Sequence, residues 1–339
     1  MKAWEVYANK GLDAIMLVDR PDPQPDARQV LIKMKAWSLN YRDLLTVKGA
    51  YGAKQTFPLI PLSDGVGEVI EIGKDVTRVK VGDRVAGIFM QTWLSGELSA
   101  EKSKSALGGA INGVLAEYVT LDQEGVVHVP QHLTDEEAAT LPCAAVTAWH
   151  ALITAGNLKA GDTILTLGTG GASLFALQFA KLVGARVIIT SSSDEKLARS
   201  RHLGASEGIN HITTPDWDKA VLNLTDKVGV DHVVETGGSG TLNNSLRAVR
   251  VGGQISLFGV LSGTQGDIST VTILQKNIRL QGIYVGSHDM FEAMNRAIAL
   301  HQIKPVVDRV FAFNQAHEAL RYLESGVHFG KVCLSLSAT

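Results

Sequence analysis

The stretch that decides the fold reads Asp162-Thr-Ile-Leu-Thr-Leu-Gly168-Thr-Gly170-Gly171-Ala-Ser173, and an amphipathic segment and the apolar run Ala185-Arg-Val-Ile-Ile-Thr190 follow it. A run of branched apolar residues, a glycine-rich turn, a helical pattern and a second apolar run predict a strand-turn-helix-strand unit. Apolar residues recur every three or four positions in the middle segment, so one face of the helix can lie on a sheet. Gly184 is expected to end that helix.

The glycine-rich turn has the properties of a dinucleotide-binding site. Gly168 and Gly170 lack side chains, so the backbone can turn sharply and its amides, at the positive end of the helix, can approach a pyrophosphate. Ser173 replaces the third glycine of the usual fingerprint. Such turns also occur as plain strand-to-helix corners, but the flanking strands and helix favour a dinucleotide. The predicted contacts are Gly168, Thr169, Gly170, Gly171, Ala172 and Ser173.

The end of the second apolar run indicates which dinucleotide binds. NAD sites usually carry an acidic residue about 20 residues after the glycines, where it holds the ribose 2′-hydroxyl. This chain has Ser191, Ser192 and Ser193 there, followed by Lys196 and Arg199. Hydroxyls and cations suit a 2′-phosphate, which a carboxylate would repel. The serines could also cap the next helix, and the two roles are compatible. The pattern therefore predicts NADP(H) rather than NAD(H).

Length, charge and cysteine content restrict the class of protein. A chain of 339 residues exceeds the usual size of one compact core, so two domains are expected. The net charge of -2 lacks the basic excess of a nucleic-acid binder. No segment has the apolar length of a membrane span, and the N-terminus does not resemble a secretory signal. Cys143 and Cys333 form no disulfide framework, so a cytoplasmic location is expected, with neither nucleic acid nor membrane as a partner.

Two kinds of pattern divide the chain. Residues up to about 125 read as short strands and turns, such as the alternating run Val30–Ala36. The capping-box sequence Thr134-Asp-Glu-Glu137 then predicts a helix, and a second helix is expected over Pro142–Ala155. Strand-like and helix-like segments alternate afterwards, which predicts an α/β fold with a doubly wound parallel sheet.

Four motifs follow one another at a familiar spacing. They are Phe57-Pro-Leu-Ile-Pro-Leu-Ser-Asp64-Gly-Val-Gly-Glu-Val69, Gly82-Asp-Arg-Val85, Leu141-Pro-Cys-Ala-Ala-Val-Thr147-Ala-Trp149 and the glycine turn at Gly168. In this order they resemble the medium-chain dehydrogenase/reductase superfamily over essentially the whole chain. The resemblance implies a GroES-like, mainly-β catalytic domain (residues 1–125 and 300–339), a Rossmann domain (residues 126–299) and hydride transfer in the cleft between them. It also implies a homodimer or homotetramer.

The motif positions that hold zinc in zinc-using members of that superfamily carry other residues here. Matching the motifs gives Asn40, Ser63 and Cys143 where those members have a Cys, a His and a Cys or Asp. Asn and Ser are poor zinc ligands, and Cys143 with Asp64 nearby does not complete a tetrahedral site. The stretch from residue 90 to 113 also lacks the four cysteines of a structural-zinc lobe. The chain therefore resembles the zinc-free quinone oxidoreductase branch, in which Asn-x-x-Asp is common, and no metal is expected.

Without zinc, hydrogen-bond donors must stabilise the charge that arrives with a hydride. A simple ketone would then be a difficult substrate, whereas a quinone or an activated alkene delocalises the charge onto an oxygen that donors can hold. Asn40 and Tyr41 are the predicted donors, with Asp43 orienting them and Thr147 near the nicotinamide. The alternatives are that Asn40 satisfies backbone groups and that Asp43 forms a salt bridge with Arg42.

Further cofactor contacts are implied by the resemblance. Strand ends would flank the nicotinamide ribose, and a cation near the C-terminus would reach the phosphates; these residues are Phe258, Gly259, Val260, Val285, Gly286, Ser287, Phe329 and Lys331. Trp93 and Tyr51 could line the substrate pocket. Each of these side chains could instead be an ordinary packing residue.

The sequence leaves three hypotheses for the function open. The first is an NADPH-dependent, zinc-independent reductase of quinones or small conjugated carbonyl compounds. The second is an alcohol dehydrogenase that acts on alcohols and aldehydes with a non-standard metal site. The third is a non-catalytic NADPH-binding protein.

Overall fold

The computed structural model describes residues 1–7, 11–50 and 56–338, and the chain divides into two compact units. Unit 1 contains Met1–Val146 and Gly286–Thr339, and unit 2 contains Thr147–Val285. Tyr51, a predicted pocket residue, lies outside the described residues. Within the described part of the chain, no helix has the length and apolarity needed to cross a membrane.

The first part of unit 1 is mainly β-structure. Its helices are α1 (Tyr41–Val47), α2 (Ala100–Ser103) and α3 (Asp135–Ala139), with short 3-10 turns at Leu12–Ala14 and Gln123–Gly125. Its strands are β1 (Lys2–Val6), β2 (Ile15–Asp19), β3 (Gln29–Leu39), β4 (Asp64–Ile72), β5 (Arg84–Gly87), β6 (Tyr118–Asp122) and β7 (Val126–His128).

The segment predicted as one helix over Pro142–Ala155 is helical but not uniformly α. A π-helical turn, Leu141–Ala145, leads into α4 (Val146–Trp149), and a second π-helical turn covers His150–Thr154. Pro142 has no N–H group and stands in the first turn, where helices tolerate proline best.

Unit 2 alternates strands and helices, as the sequence predicts. Its elements are β8 (Thr163–Thr166), α5 (Gly171–Val183), β9 (Arg186–Ser191), α6 (Asp194–Leu203), β10 (Glu207–Asn210), α7 (Trp217–Leu224), β11 (Val230–Glu235), α8 (Ser239–Ala248), β12 (Val249–Leu257), α9 (Thr270–Gln275) and β13 (Arg279–Gly282). All the strand pairs are parallel, and the order is β10-β9-β8-β11-β12-β13. This is the strand order of a Rossmann fold, which confirms the predicted fold class.

The chain then returns to unit 1 with α10 (His288–His301), β14 (Val307–Ala312), a 3-10 turn at Phe313–Gln315, α11 (Ala316–Glu324) and β15 (Lys331–Ser335). The sheet of unit 1 has the order β14-β15-β3-β4-β5-β7, and β6 also pairs with β3. Among the described strands of this sheet, β14 and β15 pair in parallel and the other pairs are antiparallel.

The division of the structure differs from the predicted domain boundaries at 125/126 and 299/300, because two helices assigned to the Rossmann domain pack on unit 1. Helix α3 packs on β3 and β4. Asn295 of α10 donates to the carbonyl oxygen of His128 at 2.9 Å, and Glu292 of α10 accepts from Arg78 at 3.2 Å. Sequence periodicity identifies such helices but does not say which sheet they cover.

Helix α5 follows from the pattern that predicted it. Phe175 and Phe179 lie on its buried face with their rings stacked 5.9 Å apart, and Gly184 ends the helix with φ of 88°. That left-handed conformation favours glycine, so the predicted end of the helix is confirmed.

Candidate active site

Three strand ends of unit 1 meet at one point. β3 ends at Leu39, β4 begins at Asp64, and β15 begins at Lys331. The antiparallel register places Ser38 opposite Asp64 and Leu39 opposite Val332. This register brings together polar residues from distant parts of the sequence. We call Asn40, Asp43, Asp64, Cys143 and Lys331 the buried cluster.

Asn40 is the N-cap residue of α1, and Asp43 holds its backbone. The Asn40 N–H group donates to Oδ2 of Asp43 at 2.8 Å, an arrangement common at helix starts because the first amides have no partner within the helix. Oδ1 of Asp43 accepts from Nη1 of Arg42 at 3.3 Å, and Arg42 also donates to the Leu107 carbonyl. The orienting contact and the salt bridge, which the sequence offered as alternatives, therefore occur together. The catalytic roles of Asn40 and Asp43 remain predictions.

Lys331 is buried, and its contacts differ from the predicted ones. Its Nζ donates to Oδ1 of Asn40 and to the carbonyl oxygen of Leu39, both at 2.6 Å. Because Val332 lies opposite Leu39, the preceding lysine reaches the end of β3. In the structure Lys331 is a partner of Asn40, and its predicted contact with the cofactor phosphates stays a prediction.

The Asn40 amide has a fixed orientation. An ammonium group only donates hydrogen bonds, so the atom of Asn40 that contacts Lys331 must be the amide oxygen. Asn40 is 9% exposed, and its Nδ2 is buried with no hydrogen-bond partner among the described residues. A ligand that places an acceptor next to such a buried donor gains binding free energy, because the donor otherwise has no partner.

Two carboxyl groups and a thiol complete the buried cluster. Asp64 accepts from Ser63 Oγ at 2.7 Å and from the backbone N–H of Cys143 at 3.2 Å. Burial raises the pKa of Asp64, and the Lys331 ammonium is the largest opposing influence; the Asn40 amide opposes the shift more weakly, without completing a hydrogen bond. Burial also raises the pKa of Asp43 to about 6, with Arg42 opposing and Asp64 adding to the shift.

Cys143 is a poor candidate for a thiolate. The residue as a whole is partly exposed, but burial of its thiol, with Asp64 next in effect, raises the pKa of Cys143 well above its usual range. The thiol is therefore protonated near neutral pH, and its neutral form behaves as a small apolar group.

The glycine turn of unit 2 (residues 168–173) is open. Gly168 has φ of 74°, and its N–H donates to Thr190 Oγ1 at 3.2 Å. Gly170 is the N-cap of α5, and no side chain in the described part of the chain caps this helix start. A Cβ added at Gly168 or Gly170 would meet no heavy atom within 4 Å. Open space and the first backbone amides of a 13-residue helix fit a pyrophosphate.

Ser173 faces the interior rather than this open side. Its hydroxyl donates to the carbonyl oxygen of Leu167 at 2.7 Å, and the hydroxyl of Thr236 donates to the same oxygen at 2.9 Å. The serine thus attaches α5 to the end of β8, a packing role that the third glycine of the fingerprint usually has. The predicted contact of Ser173 with the cofactor stays a prediction, and its hydroxyl is engaged with Leu167. Thr169 is buried, and Gly171 and Ala172 are half-buried.

Of the three serines at the end of β9, Ser193 caps the next helix. Ser191 is buried and its Oγ accepts from the N–H of Ser193, whose own Oγ accepts from the N–H of Lys196. Ser192 is exposed. The nearest carboxylate, Asp194, accepts from Asn210 at 2.8 Å. No acidic residue ends β9, and a hydroxyl is presented to solvent there.

The other predicted contacts fall in both units. Phe258, Gly259 and Val260 follow β12; a Cβ at Gly259 would lie 1.9 Å from the Thr236 carbonyl oxygen, so only glycine fits. Val285 is buried with φ of 57°. Unit 1 contains Gly286, Ser287, which caps α10 through the N–H of Met290, and the buried Phe329.

Three further predicted residues complete the comparison. Tyr41 is 42% exposed, whereas Thr147 is buried in α4. Trp93 is buried and its indole N–H donates to the Gly96 carbonyl at 2.9 Å. The contact that the sequence did not predict is that of Lys331 with Asn40, which lies 291 positions away. Only strand register joins them, so no local signal could have paired them.

The fold and these sites define a class of protein: a dinucleotide-dependent oxidoreductase with a Rossmann unit and a mainly-β unit. Family models described as "Zinc-binding dehydrogenase" and "Alcohol dehydrogenase GroES-like domain" match residues 171–299 and 26–131. A zinc-type alcohol dehydrogenase-like protein of Schizosaccharomyces pombe is 44% identical over 91% of each chain. The chain belongs to the medium-chain dehydrogenase/reductase superfamily.

Solved structures agree with that membership. A putative alcohol dehydrogenase from Sinorhizobium meliloti 1021 is 41% identical, with a TM-score of 0.93 over 99% of this chain and 98% of its own. A quinone oxidoreductase from Pseudomonas syringae is 27% identical, with a TM-score of 0.84 over 98% and 99%. A 2-octenoyl-CoA carboxylase reductase in complex with NADP and 2-octenoyl-CoA is 25% identical, with a TM-score of 0.87 over 98% and 87%.

The zinc implied by the family does not fit the buried cluster. Asn40, whose amide oxygen accepts from Lys331, and Ser63 are poor ligands, Cys143 is held as a neutral thiol, and the Lys331 ammonium is already among these groups. Among the residues the structure describes, no group of three or more His, Cys, Asp or Glu side chains is arranged to hold a metal ion. The oxygen atoms of the buried cluster therefore suit the Lys331 ammonium better than a zinc ion.

Proposed function

We propose that the protein is a zinc-independent, NADPH-dependent oxidoreductase that transfers hydride to quinones or α,β-unsaturated carbonyl compounds. One observation carries the proposal: the buried, unpartnered Nδ2 of Asn40 is oriented by the Lys331 ammonium. An uncharged donor next to a fixed cation can stabilise the negative charge that develops on an acceptor oxygen during hydride transfer.

The chemistry divides between the two units. NADPH, when bound, supplies the hydride. The open amides of Gly170 and Gly171 at the start of α5 would hold its diphosphate. Asn40 would donate from Nδ2 to the oxygen of the acceptor, and Asp43 would hold the Asn40 backbone. Tyr41, 42% exposed, would be a second donor, and Thr147 would contact the nicotinamide.

The preference for NADPH is supported by the end of β9. Ser191, Ser192 and Ser193 stand where a carboxylate would favour NAD, and Lys196 and Arg199 follow on α6. The matched 2-octenoyl-CoA carboxylase reductase is described in complex with NADP, whereas another structure, 32% identical, is described as an NAD-dependent alcohol dehydrogenase. The cofactor therefore needs a direct test.

We also propose a homodimer or homotetramer in the cytoplasm.

The relatives described as alcohol dehydrogenases favour a second candidate, which is oxidation of alcohols at a non-standard metal site. Stoichiometric zinc in the purified protein, lost together with activity on chelation, would support this candidate. The misfit of the buried cluster to zinc makes it the weaker of the two.

Steady-state NADPH oxidation tests the proposal. We expect turnover with 1,4-benzoquinone and with trans-2-alkenals, at least about tenfold faster in kcat/KM than with the saturated aldehydes of equal length, because only the conjugated acceptors delocalise the charge. NADH in place of NADPH is expected to lower kcat/KM. Turnover of the saturated aldehydes alone, or of no acceptor, would contradict the proposal. Zinc is measured on the same sample.

A further inference from the structure

The buried cluster contains a cation, Lys331, to which the proposed function assigns no separate role. Lys331 is 3% exposed, and its two hydrogen bonds go to the Leu39 carbonyl and to Asn40 Oδ1. The sequence motif around it suggested a phosphate ligand, but this ammonium is committed to the end of β3. Two oxygen acceptors and the field of Asp64 hold it there.

We propose that Lys331 is a positioning residue for hydride transfer: its ammonium holds the Asn40 amide so that Nδ2 meets the acceptor oxygen, and its charge strengthens that donor. The inference rests on the proposed function, in which Asn40 binds the acceptor. Lys331 acts through Asn40 and is not itself a catalytic residue.

The orientation argument comes from hydrogen-bond chemistry. An asparagine amide can present either its oxygen or its nitrogen, and in isolation the two orientations are close in energy. The ammonium has no acceptor, so a flipped Asn40 would point its N–H groups at three N–H donors. Lys331 therefore excludes the flipped orientation and leaves both Nδ2 protons directed away from itself.

The neighbouring charges complement the Lys331 ammonium. Asp43 and Asp64 are fully buried carboxyl groups, and Arg42 pairs with Asp43 at 3.3 Å. Lys331 is then the cation left to balance Asp64, whose other bonds come from Ser63 and from the backbone of Cys143. A positive charge next to the Asn40 oxygen polarises the amide and makes Nδ2 a stronger donor, as a charge-assisted bond does.

A purely structural lysine and a phosphate-binding lysine are the competing roles, and separate measurements distinguish all three. The variants are Lys331→Met, which removes the charge, and Lys331→Gln, which keeps a donor for Asn40 Oδ1. Lys35→Met is the matched control, since Lys35 pairs with Glu68 on the exposed side of the same unit. The full-length protein is tested with NADPH and 1,4-benzoquinone.

We expect Lys331→Met to lower kcat by about 100-fold while the Kd for NADPH, measured by fluorescence, changes by less than about twofold. Lys331→Gln should recover part of that loss, and Lys35→Met should leave both values unchanged. A rise of tenfold or more in the NADPH Kd with little change in kcat would overturn the inference in favour of a phosphate ligand. An unchanged kcat in a folded Lys331→Met protein would overturn it in favour of a structural role.

A double-mutant cycle tests whether the effect passes through Asn40. If it does, Lys331→Met adds little to the loss already caused by Asn40→Ala, because the oriented amide is gone. Additive losses would show that Lys331 acts independently and would contradict the inference. The same cycle with Lys331→Gln gives the answer if Lys331→Met does not fold.

A measurement without substrate separates this inference from the proposed function. The side-chain amide resonances of Asn40, identified by their loss in Asn40→Ala, are followed by nitrogen-proton NMR. We expect Lys331→Met and Lys331→Gln to shift them and speed their exchange with water, whereas Lys35→Met leaves them in place. If wild-type protein turns over no acceptor, the proposed function fails and these resonances still decide whether Lys331 fixes the amide. Unmoved resonances would overturn the inference even in an active enzyme.

Discussion

The glycine turn of unit 2 and the buried cluster of unit 1 are built in opposite ways. The turn is six consecutive residues, three of them glycines, and its expected ligand groups are backbone amides beside the open space at Gly168 and Gly170. The cluster gathers side chains from residues 40, 43, 64, 143 and 331, and all its carboxyl groups are fully buried. A binding site made of backbone can be recognised in one short stretch of sequence, whereas one made of side chains depends on strand register.

The two regions should respond differently to substitution, and the largest effect is expected in the buried cluster. Asp64→Ala removes the carboxylate that balances Lys331 and takes away the acceptor for the Cys143 N–H. We expect the free energy of unfolding to fall by about 3–5 kcal/mol, because an uncompensated buried charge remains. Urea unfolding measures the change.

Glu68→Ala serves as the control for that experiment, since the pair of Glu68 with Lys35 is exposed and should contribute at most about 1 kcal/mol. An Asp64→Ala protein as stable as the Glu68→Ala protein would show that the cluster is not a coupled set of charges.

The glycine turn should lose binding without losing stability. In Gly170→Val the added side chain meets no protein atom within reach of its Cβ, and φ of -77° suits any residue. The new methyl groups would occupy the space expected for the diphosphate. We predict an increase of about 100-fold in the NADPH Kd, about 2.7 kcal/mol, with an unfolding free energy within about 0.5 kcal/mol of wild type.

Calorimetric titration with NADPH and urea unfolding of the same sample provide the two values. A stable Gly170→Val protein that binds NADPH normally would place the diphosphate elsewhere. An unstable one would show that the turn is packed more tightly than the structure indicates.

The pH dependence of stability should report the cluster alone. Burial raises the pKa of Asp43 to about 6 from an ordinary value of 3.8. The folded state therefore binds this proton more tightly than the unfolded state, so the contribution of Asp43 to stability is greatest below about pH 4 and is lost as the pH rises to about 6. The loss should be about 1–3 kcal/mol.

Asp43→Asn removes the titrating group, and the difference in unfolding free energy between wild type and this variant should narrow or reverse across that interval. Equal slopes for the two proteins between pH 4 and pH 6 would mean that Asp43 titrates normally. The turn contains no titratable side chain, so Gly170→Val should keep the wild-type slope.

The smallest effect tests the cofactor preference. Ser192 is exposed after β9, and Ser192→Asp places a carboxylate near the expected 2′-position. We predict a decrease of about tenfold in the ratio of kcat/KM for NADPH to that for NADH, equivalent to about 1.4 kcal/mol, because a carboxylate repels a phosphate and accepts from a ribose hydroxyl.

Ser269→Asp, at the exposed N-cap of α9, is the control with the same charge change. A ratio that is unaltered in Ser192→Asp, or altered equally in Ser269→Asp, would remove the support that the serines give to NADPH.

The sequence predicted the Rossmann unit well because its signals are local. The periodicity of α5, the glycine at its end and the alternation of strands and helices each involve neighbours in the chain. It gave the domain boundaries only as predictions, because α3 and α10 have ordinary helical patterns and only their packing associates them with unit 1.

The candidate residues divide along the same line. Asp43 was predicted to orient Asn40, and it binds the Asn40 backbone three positions away. Lys331 and Ser173 are predicted to contact the cofactor from their motif positions, and the structure adds that the first donates to Asn40 and the second to Leu167. A motif fixes where a residue lies along the chain, but the direction of its side chain depends on what packs around it.

The sequence by itself determined the superfamily, the parallel sheet and the open turn at the start of α5, because these follow from spacing and from the absence of side chains. Only the tertiary structure decided that Lys331 lies against Asn40, since the pairing of β15 with β3 joins residues that are 291 positions apart. The hydrogen bond between the ammonium and the amide is stronger in the buried interior than in water. No local sequence pattern predicts that contact.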